Sequence, residues 1–318
     1  MLSRRLLRIK ALKALYAHMK AEADSLAVSE KSMMASIDKA YDLYFQMLAL
    51  PAELVRYAEQ RQELARQKLM PTFDDLHPNT KFVDNAVIRI LGNSDAINDF
   101  LTARKLTWAG YPELIKTLYN QIASRDYFTA YMTRSERSFQ EDRQLVERIY
   151  TEELQDCEAL DNALEEMSIL WSDDLGHILV MVLRTLSNLK ASHTDIKALP
   201  KFKNDDDRDF VRALFEKTLI NFDEHMRYIE KFTRNWDVER IAFMDNLILA
   251  AALTELEEFP SIPVKVTLDE FIEISKYYST PGSSLFINGI LDKMVVSLTE
   301  EGRIRKAGRG LIGHITKE

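Results

Sequence analysis

The most constraining feature of this chain is the long run Ser36–Leu69, which reads SIDKAYDLYFQMLALPAELVRYAEQRQELARQKL. It is rich in Ala, Leu, Glu, Gln and Arg, which have high helix propensity. Alternation of apolar and polar residues, the mark of a half-buried strand, is absent from the sequence. The 318 residues also include only 9 glycines and 8 prolines. We therefore predict an all-α fold.

Prolines and turn-forming residues divide this helical sequence into segments. Thr267 is followed three residues later by Glu270, the spacing of a capping box, so we expect another helix to begin there. The predicted breaks are MPTFDDLHPNT at Met70–Thr80, ASHTDIKALPKFKNDDD at Ala191–Asp207, EFPSIP at Glu258–Pro263 and YYSTPGS at Tyr277–Ser283.

A helical pattern occurs twice, because the stretch from Asp142 can be laid without gaps on the stretch from Asp207. Each copy is followed by an apolar helix, LGHILVMVLRTL or IAFMDNLILAAAL. The match pairs Val146 with Val211, Tyr150 with Phe215, Leu154 with Leu219 and Trp171 with Trp236. Either an internal duplication or the ordinary likeness of two amphipathic helical hairpins accounts for it. In both cases we expect a helical hairpin built twice in tandem.

Composition indicates a globular chain with one large or two ordinary domains, since 46% of its residues are apolar. The one cysteine, Cys157, excludes an internal disulfide and fits a reducing compartment; a buried thiol accounts for it more simply than a nucleophile does. No apolar run reaches the length of a membrane span, and no signal-peptide core follows the N-terminus. We therefore expect a cytoplasmic protein that does not enter a membrane.

Basic residues concentrate at the two ends of a chain whose net charge is −8. Residues 1–20 and 302–317 contain no acid; they hold eleven of the 42 Lys and Arg residues, which leaves 31 against 50 Asp and Glu residues elsewhere. This asymmetry points to a polyanionic partner held at the ends. The basic residues are Arg4, Arg5, Arg8, Lys10, Lys13 and Lys20 at one end and Arg303, Arg305, Lys306, Arg309 and Lys317 at the other.

Residue patterns typical of enzyme sites are scarce. The six histidines are scattered, and the spacing nearest to a metal motif, Asp174 with His177, is more often a surface or capping pair. No glycine-rich phosphate loop is present. The acidic run Asp205–Asp207 precedes a predicted helix, where its negative charge offsets the helix dipole. We therefore predict a protein that is not an enzyme, with no catalytic residue, metal or cofactor.

The stretch SSLFINGILDK, Ser283–Lys293, contains an Asn-Gly pair, which is first of all a hairpin signal. Apolar residues nevertheless recur here at three- and four-residue spacing, so we predict a helix. These residues are Ile287, Ile290, Leu291, Met294 and Leu298. The helix leaves Gly289 in its interior at a cost of about 1 kcal/mol. It also puts Phe286 roughly 100° from the apolar stripe, where burial in the core cannot be assumed.

The N-terminal helix SRRLLRIKALKALYAHMKA carries an apolar stripe that becomes cationic toward its start. The stripe of Leu12, Leu15 and Met19 continues backwards through Arg8 and Arg4, so we expect the first two turns to overhang the core. Positive charge at a helix N-terminus is disfavoured by about 0.3 to 1 kcal/mol per charge. A partner's phosphates would offset that cost, since the guanidinium fork matches their geometry. A solvated face and an organelle-targeting helix are the alternatives.

Together, RRLLRIKALKALY near the start and VERIAFMDNLILAAALTELEEFPSIPVKVTLDEFIEISKYYSTPGSSLFINGILDK near the end resemble the NusB family of bacterial transcription antitermination factors. Family members start with an Arg-rich helix that ends in Ala-Leu-Tyr, here Ala14-Leu15-Tyr16. They finish with a helix that opens on Phe-Val-Asn-Gly-Val-Leu-Asp-Lys, here Phe286 to Lys293 with Ile for Val twice. The resemblance covers about residues 3–24 and 206–300.

This resemblance implies a NusB-like helical bundle that binds boxA-like single-stranded RNA in ribosomal RNA transcripts. The partners would be a small-subunit ribosomal protein, also called NusE, and the transcription elongation complex. In the family, the N-terminal arginines and the Phe of the last motif contact RNA. An aromatic ring can stack on an unpaired base. The implied RNA-binding residues are Arg4, Arg5, Arg8, Lys13, Phe286 and Asn288; for Phe286, a peripheral core residue is the alternative.

Glu239 and Arg240 open a predicted helix, at a place that the family uses near its interface with the ribosomal protein. The alternative for Glu239 is a first-turn acid that the helix dipole favours. This chain departs from the family at Gly282 and Leu285, where many relatives have an acid and a base. It also contains a long insertion, which could enlarge the partner surface, mimic a dimer or block one face. These departures leave the RNA contacts and the role of the insertion open.

The resulting domain prediction has four parts. They are an N-terminal Arg-rich helix at 1–30, an inserted helical region at 31–200 with the first hairpin copy, a C-terminal NusB-like domain at 201–300 and a basic disordered tail at 301–318. A helical scaffold that keeps the fold but binds only protein is the main alternative function. An enzyme that carries this fold as an accessory domain is disfavoured, because no cofactor-binding α/β domain is visible.

Overall fold

The computed structural model describes residues 1–233 and 241–312. These residues form fifteen α-helices and no β-strand, which confirms the all-α prediction. The helices are α1 Arg4–Lys20, α2 Leu26–Arg66, α3 Phe73–Leu76, α4 Ala86–Gly92, α5 Asp95–Arg104, α6 Pro112–Ala123, α7 Asp126–Thr133, α8 Phe139–Arg148, α9 Glu158–Met167, α10 Leu175–Ser187, α11 Asp205–Ile220, α12 Phe222–Thr233, α13 Phe243–Glu258, α14 Val264–Tyr278 and α15 Ser283–Glu300. None of these helices combines the length and apolarity that a membrane span requires.

The predicted breaks coincide with helix ends. The helix-forming run lies almost wholly in α2, which continues through Pro51. The acidic run Asp205–Asp207 forms the first turn of α11, where it favours the helix dipole as expected. Short π or 3₁₀ turns lie at Ile149–Glu153, Ile169–Trp171 and Gly308–Leu311.

The predicted capping box at Thr267 is wrong. Helix α14 begins earlier, at Val264, directly after Pro263, which is in an extended conformation and limits the helix on that side. Thr267 therefore lies inside the helix, where its hydroxyl donates to the carboxylate of Glu255 at 2.8 Å. Glu270 accepts two hydrogen bonds from Arg5 at 2.9 and 3.0 Å. Both side chains have partners on other helices, so neither caps its own helix.

The chain divides into two compact units. The first, which we call the NC unit, consists of Ser3–Ile37 and Phe202–Glu318; the second, the middle unit, consists of Met1–Leu2 and Asp38–Lys201. Helix α2 starts in the NC unit and continues in the middle unit. The four domain ranges drawn from the sequence stay a prediction.

Helix α13 is the centre of the NC unit. Its residues from Leu247 to Leu256 are buried on every face of the helix, as expected for a segment that is apolar all round. Helices α1, α11, α12, α14 and α15 all pack against it. Helix α1 packs most extensively on α11, so the N-terminal helix is part of this core.

The two hairpin copies begin alike and then differ. Val146 and Val211 are fully buried in α8 and α11, and so are Tyr150 and Phe215. The first copy changes into the π turn Ile149–Glu153, whereas the second continues as one α-helix to Ile220. Trp236 of the second copy lies outside the described residues. A duplication therefore stays a prediction.

The segment SSLFINGILDK is helical, and all five residues of its apolar stripe are buried. A Cβ at Gly289 would meet no atom within 4 Å, so no neighbouring helix of the described chain needs the glycine for close approach. At Gly310, by contrast, a Cβ would lie 1.9 Å from the carbonyl oxygen of Pro260. Gly289 and Gly310 thus differ in the space that their surroundings leave for a side chain.

We expect Gly289→Ala to raise the free energy of unfolding by about 0.5 to 1 kcal/mol, because alanine favours the helix interior and finds open space. Urea denaturation of the free protein measures this change. Gly310→Ala is the control and should lower stability, since its methyl group clashes with a backbone carbonyl. A destabilised Gly289→Ala variant would contradict the open environment of this position.

Candidate nucleic-acid interface

Acidic residues from three helices meet the start of α1. Ser3 caps this helix by accepting a hydrogen bond from the backbone N–H of Leu6 at 3.1 Å. Each of the three arginines that follow pairs closely with an acid of α11, α13 or α14, and Arg8 also lies 3.7 Å from Glu270. The pairs are Arg4 with Asp207 at 2.8 Å, Arg5 with Glu270 at 2.9 Å and Arg8 with Glu255 at 2.7 Å.

Arg8 is buried, with only 2% of its surface exposed. Its Nε and Nη2 donate to the two carboxylate oxygens of Glu255 at 2.7 and 2.8 Å. The guanidinium also lies over the rings of Phe210 and Phe271, at 5.3 and 5.9 Å from their centroids. The expectation that the first two turns of α1 overhang the core is therefore wrong: acids and rings of neighbouring helices cover them. Arg8, predicted to contact phosphate, has no accessible donor.

Arg4 and Arg5 differ from Arg8 because they keep 38% and 40% of their side-chain surface exposed. Arg4 uses its Nε for Asp207 and lies 5.0 Å from the centroid of the Phe210 ring. Arg5 forms a two-point pair with Glu270, and these hydrogen bonds raise the pKa of its guanidinium. Both arginines remain reachable from solvent.

The second half of α1 carries lysines beside aromatic rings. Lys13, Tyr16 and Lys20 share one helix face by their spacing of three and four residues. Lys13 Nζ lies 5.6 Å from the Tyr278 ring, and Lys20 Nζ lies 4.4 Å from the Phe243 ring. Tyr16 packs edge-on against Phe243, with centroids 5.7 Å apart. We call these five residues the lysine–aromatic surface. The i, i+3, i+7 spacing on α1 is the signal in the sequence for this surface; of its five residues, only Lys13 is among the predicted RNA contacts.

A buried aspartate fixes the turn beside this surface. Asp245, at the start of α13, accepts hydrogen bonds from the hydroxyls of Ser279 and Ser283, on either side of the turn between α14 and α15. Gly282 precedes α15 with a φ of 90°, a conformation that suits glycine. This accounts for one departure from the family pattern. The hydrogen bonds of Asp245 also fix the position of Tyr278, which precedes Ser279 and lies next to Lys13 of α1.

Phe286 is only 9% exposed, which supports the alternative that it is a peripheral core residue. The physical reason is its spacing: Phe286, Ile290 and Met294 follow one another at four-residue intervals and so lie on one side of α15. Leu285, the other departure, is 80% exposed instead. Asn288 is exposed, and its amide donates to Asp292 at 3.4 Å. An RNA contact by Phe286 or Asn288 stays a prediction.

Glu239 and Arg240, predicted to contact a protein partner, lie outside the described residues. Within residues 1–233 and 241–312, no group of three or more His, Cys, Asp and Glu side chains could hold a metal ion.

Comparison with known proteins adds independent findings. The model of the NusB family matches residues 187–296. The transcription antitermination protein NusB of Salinibacter ruber is 46% identical over 121 residues, which are 37% of this chain and 76% of that protein. The proteins of the same name from Chloroherpeton thalassium and Natranaerobius thermophilus are each 35% identical, over 33% and 29% of this chain and 50% and 66% of their own lengths. No solved structure matches the chain.

Removal of the Glu255 carboxylate should be strongly destabilising. We expect Glu255→Ala to lower the free energy of unfolding by about 3 to 5 kcal/mol, since it leaves the buried Arg8 with only a longer contact of 3.7 Å to Glu270. Denaturant titration measures this loss. The double variant Arg8→Met/Glu255→Leu removes both charges and should recover much of it. A loss below 1 kcal/mol for Glu255→Ala would contradict the buried ion pair.

The burial of Phe286 generates a second stability prediction. Phe286→Ala should lower the free energy of unfolding by about 3 to 5 kcal/mol, because it removes a large buried side chain and leaves a cavity. The matched control is Leu285→Ala at the adjacent, exposed position, which should change stability by less than about 0.5 kcal/mol. Equal effects of the two substitutions in a thermal melt would show that the burial differs from that described.

Proposed function

This chain belongs to the NusB family of transcription antitermination proteins, and we propose that it binds boxA-like single-stranded RNA in ribosomal RNA transcripts, together with the ribosomal protein NusE. We propose a binding role without catalysis. The observation that carries this proposal is the lysine–aromatic surface of Lys13, Tyr16, Lys20, Phe243 and Tyr278.

The chemistry of this surface suits an unpaired RNA strand. Single-stranded RNA is bound by aromatic rings, on which bases stack, and by cations, which neutralise the phosphates. Here each lysine lies beside a ring, so one nucleotide can meet both kinds of contact within a short distance. Tyr277, next to Tyr278, is 76% exposed and adds a ring at the edge. Duplex RNA offers no such unstacked bases.

Energetics separate the arginines of α1 into two classes. Arg4 and Arg5 keep 38% and 40% of their side-chain surface exposed, so a phosphate can approach either guanidinium while its pair with Asp207 or Glu270 stays in place. Arg8 is buried, and exchange of Glu255 for a phosphate would cost about 3 to 5 kcal/mol, because it separates buried charges from their partners. We therefore assign phosphate contact to Arg4 and Arg5, and a structural role to Arg8.

A helical scaffold that binds only protein is the second candidate. The observation that favours it is that Arg4, Arg5 and Arg8 all pair with acids of their own chain. The basic helix would then serve folding alone. The role of Glu239 and Arg240 in binding the ribosomal protein is part of our proposal and needs its own test.

We expect Lys13→Ala/Lys20→Ala to weaken binding of boxA-like RNA and to lower the slope of log K against log salt by about 1.4, since each phosphate contact on a single strand contributes about 0.7. Titrations at several salt concentrations, with and without the ribosomal protein, measure both quantities. The control Arg89→Ala/Arg227→Ala removes two positive charges from the exposed faces of α4 and α12 and should leave the slope unchanged. Ribosomal-protein binding without any RNA binding would favour the scaffold.

A further inference from the structure

Residues 302–311, which we call the C-terminal strap, follow a defined path across the NC unit. The backbone N–H of Ala307 donates to the carbonyl of Pro260 at 2.9 Å, and Gly310 is buried against the same carbonyl. Gly302 and Gly308 have positive φ values of 66° and 58°, which glycine adopts without strain. Disorder is predicted for 301–318 from the sequence; the described part, 301–312, makes these specific contacts instead.

Two basic side chains of the strap point inward. Arg303 pairs with Glu257 at 2.5 Å and lies over the ring of Tyr228, 4.9 Å from its centroid. Lys306 Nζ donates to the backbone carbonyls of Glu255 and Phe259 at 3.3 and 3.0 Å. These carbonyls end α13, where a helix favours positive charge. Burial lowers the pKa of Lys306 to about 8, and the nearby Glu255 opposes that shift.

The strap and the start of α1 contact a common set of residues. Glu255, whose backbone holds Lys306, binds Arg8 through its carboxylate. Phe259, whose backbone also holds Lys306, packs its ring on Phe210 at 5.1 Å. The Phe210 ring in turn lies under the guanidinium of Arg4 at 5.0 Å. The strap and the N-terminal arginines therefore meet at the same end of α13.

The other two arginines of the strap point outward. Arg305 and Arg309 are exposed, and neither forms an ion pair with any residue of the described chain. Because the net charge of the whole chain is −8, two unneutralised arginines on a fixed segment create a local positive site in an acidic protein. Their neighbours Arg303 and Lys306 fix the segment without contributing to this site.

We propose that the C-terminal strap is a second RNA-binding element, in which Arg305 and Arg309 bind phosphates of the same single strand that Arg4 and Arg5 contact. This inference rests on the proposed function and adds a segment to its binding surface. Guanidinium groups suit phosphate because their planar donors match its oxygens. A fixed backbone reduces the ordering entropy that a flexible basic tail would lose on binding.

The test compares Arg305→Ala/Arg309→Ala with the charge-matched control Arg89→Ala/Arg227→Ala in titrations of boxA-like single-stranded RNA. The strap variant should bind more weakly, with a salt slope lower by about 1.4. The control should keep the slope of the unsubstituted protein. Thermal unfolding should be unaffected in both variants, because all four arginines are exposed.

A second variant separates the placement of the strap from its charge. Gly310→Ala keeps every arginine but blocks the contact with Pro260, so it should weaken RNA binding with all charges present. If the strap variant binds like the unsubstituted protein while Lys13→Ala/Lys20→Ala loses affinity, the strap inference fails and the proposed function stands. If the unsubstituted protein binds no RNA but its capture of the ribosomal protein needs Arg305 and Arg309, both proposals are overturned.

Discussion

The NC unit depends on one buried carboxylate, that of Glu255. This carboxylate accepts two hydrogen bonds from Arg8 of α1 and one from Thr267 of α14. The backbone carbonyl of Glu255 accepts another from Lys306 of the strap. A buried charge is tolerated only when its partners are all in position. This residue therefore couples the placement of α1, α14 and the strap to α13. Helix α1, although its sequence is basic, is therefore held in the core of the NC unit by this ion pair.

The same interaction explains what the sequence could and could not predict. Local patterns were sufficient for the all-α class, for the helix breaks and for the apolar stripe of α15, since these depend on residues a few positions apart. The partner of Arg8 lies 247 positions away, so no local pattern indicates that its charge is neutralised. Thr267 and Glu270 show the same limit: their spacing fits a capping box, but distant helices determine their partners. For Phe286 the local pattern allows two interpretations, since the residue lies about 100° from Ile287 on the helix but four residues before Ile290.

The burial and energy of the ion pairs of α1 separate its structural charges from those that we propose for binding. The buried pair is too costly to open, so it contributes order but no free charge. Arg4 and Arg5 keep 38% and 40% of their side-chain surface exposed, and Lys13 and Lys20 lie over rings. In the proposed surface, folding contacts hold the rings in place, and the cations beside them contribute electrostatic affinity for phosphate.

The hairpin repeat shows how one position serves different purposes in the two units. Asp142 and Asp207, the first residues of the matched stretches, are both buried near the start of a helix. Asp142 accepts the backbone N–H of Ala86 at 2.7 Å and the hydroxyl of Tyr131 at 2.6 Å, so it fixes the start of α4 in the middle unit. Asp207 binds Arg4 instead and so holds the basic helix of the NC unit. A buried carboxylate needs donors but not a particular kind of donor, so an aspartate suits this position in both units: each accepts one backbone N–H, of Ala86 or Lys203, and one side-chain donor, of Tyr131 or Arg4.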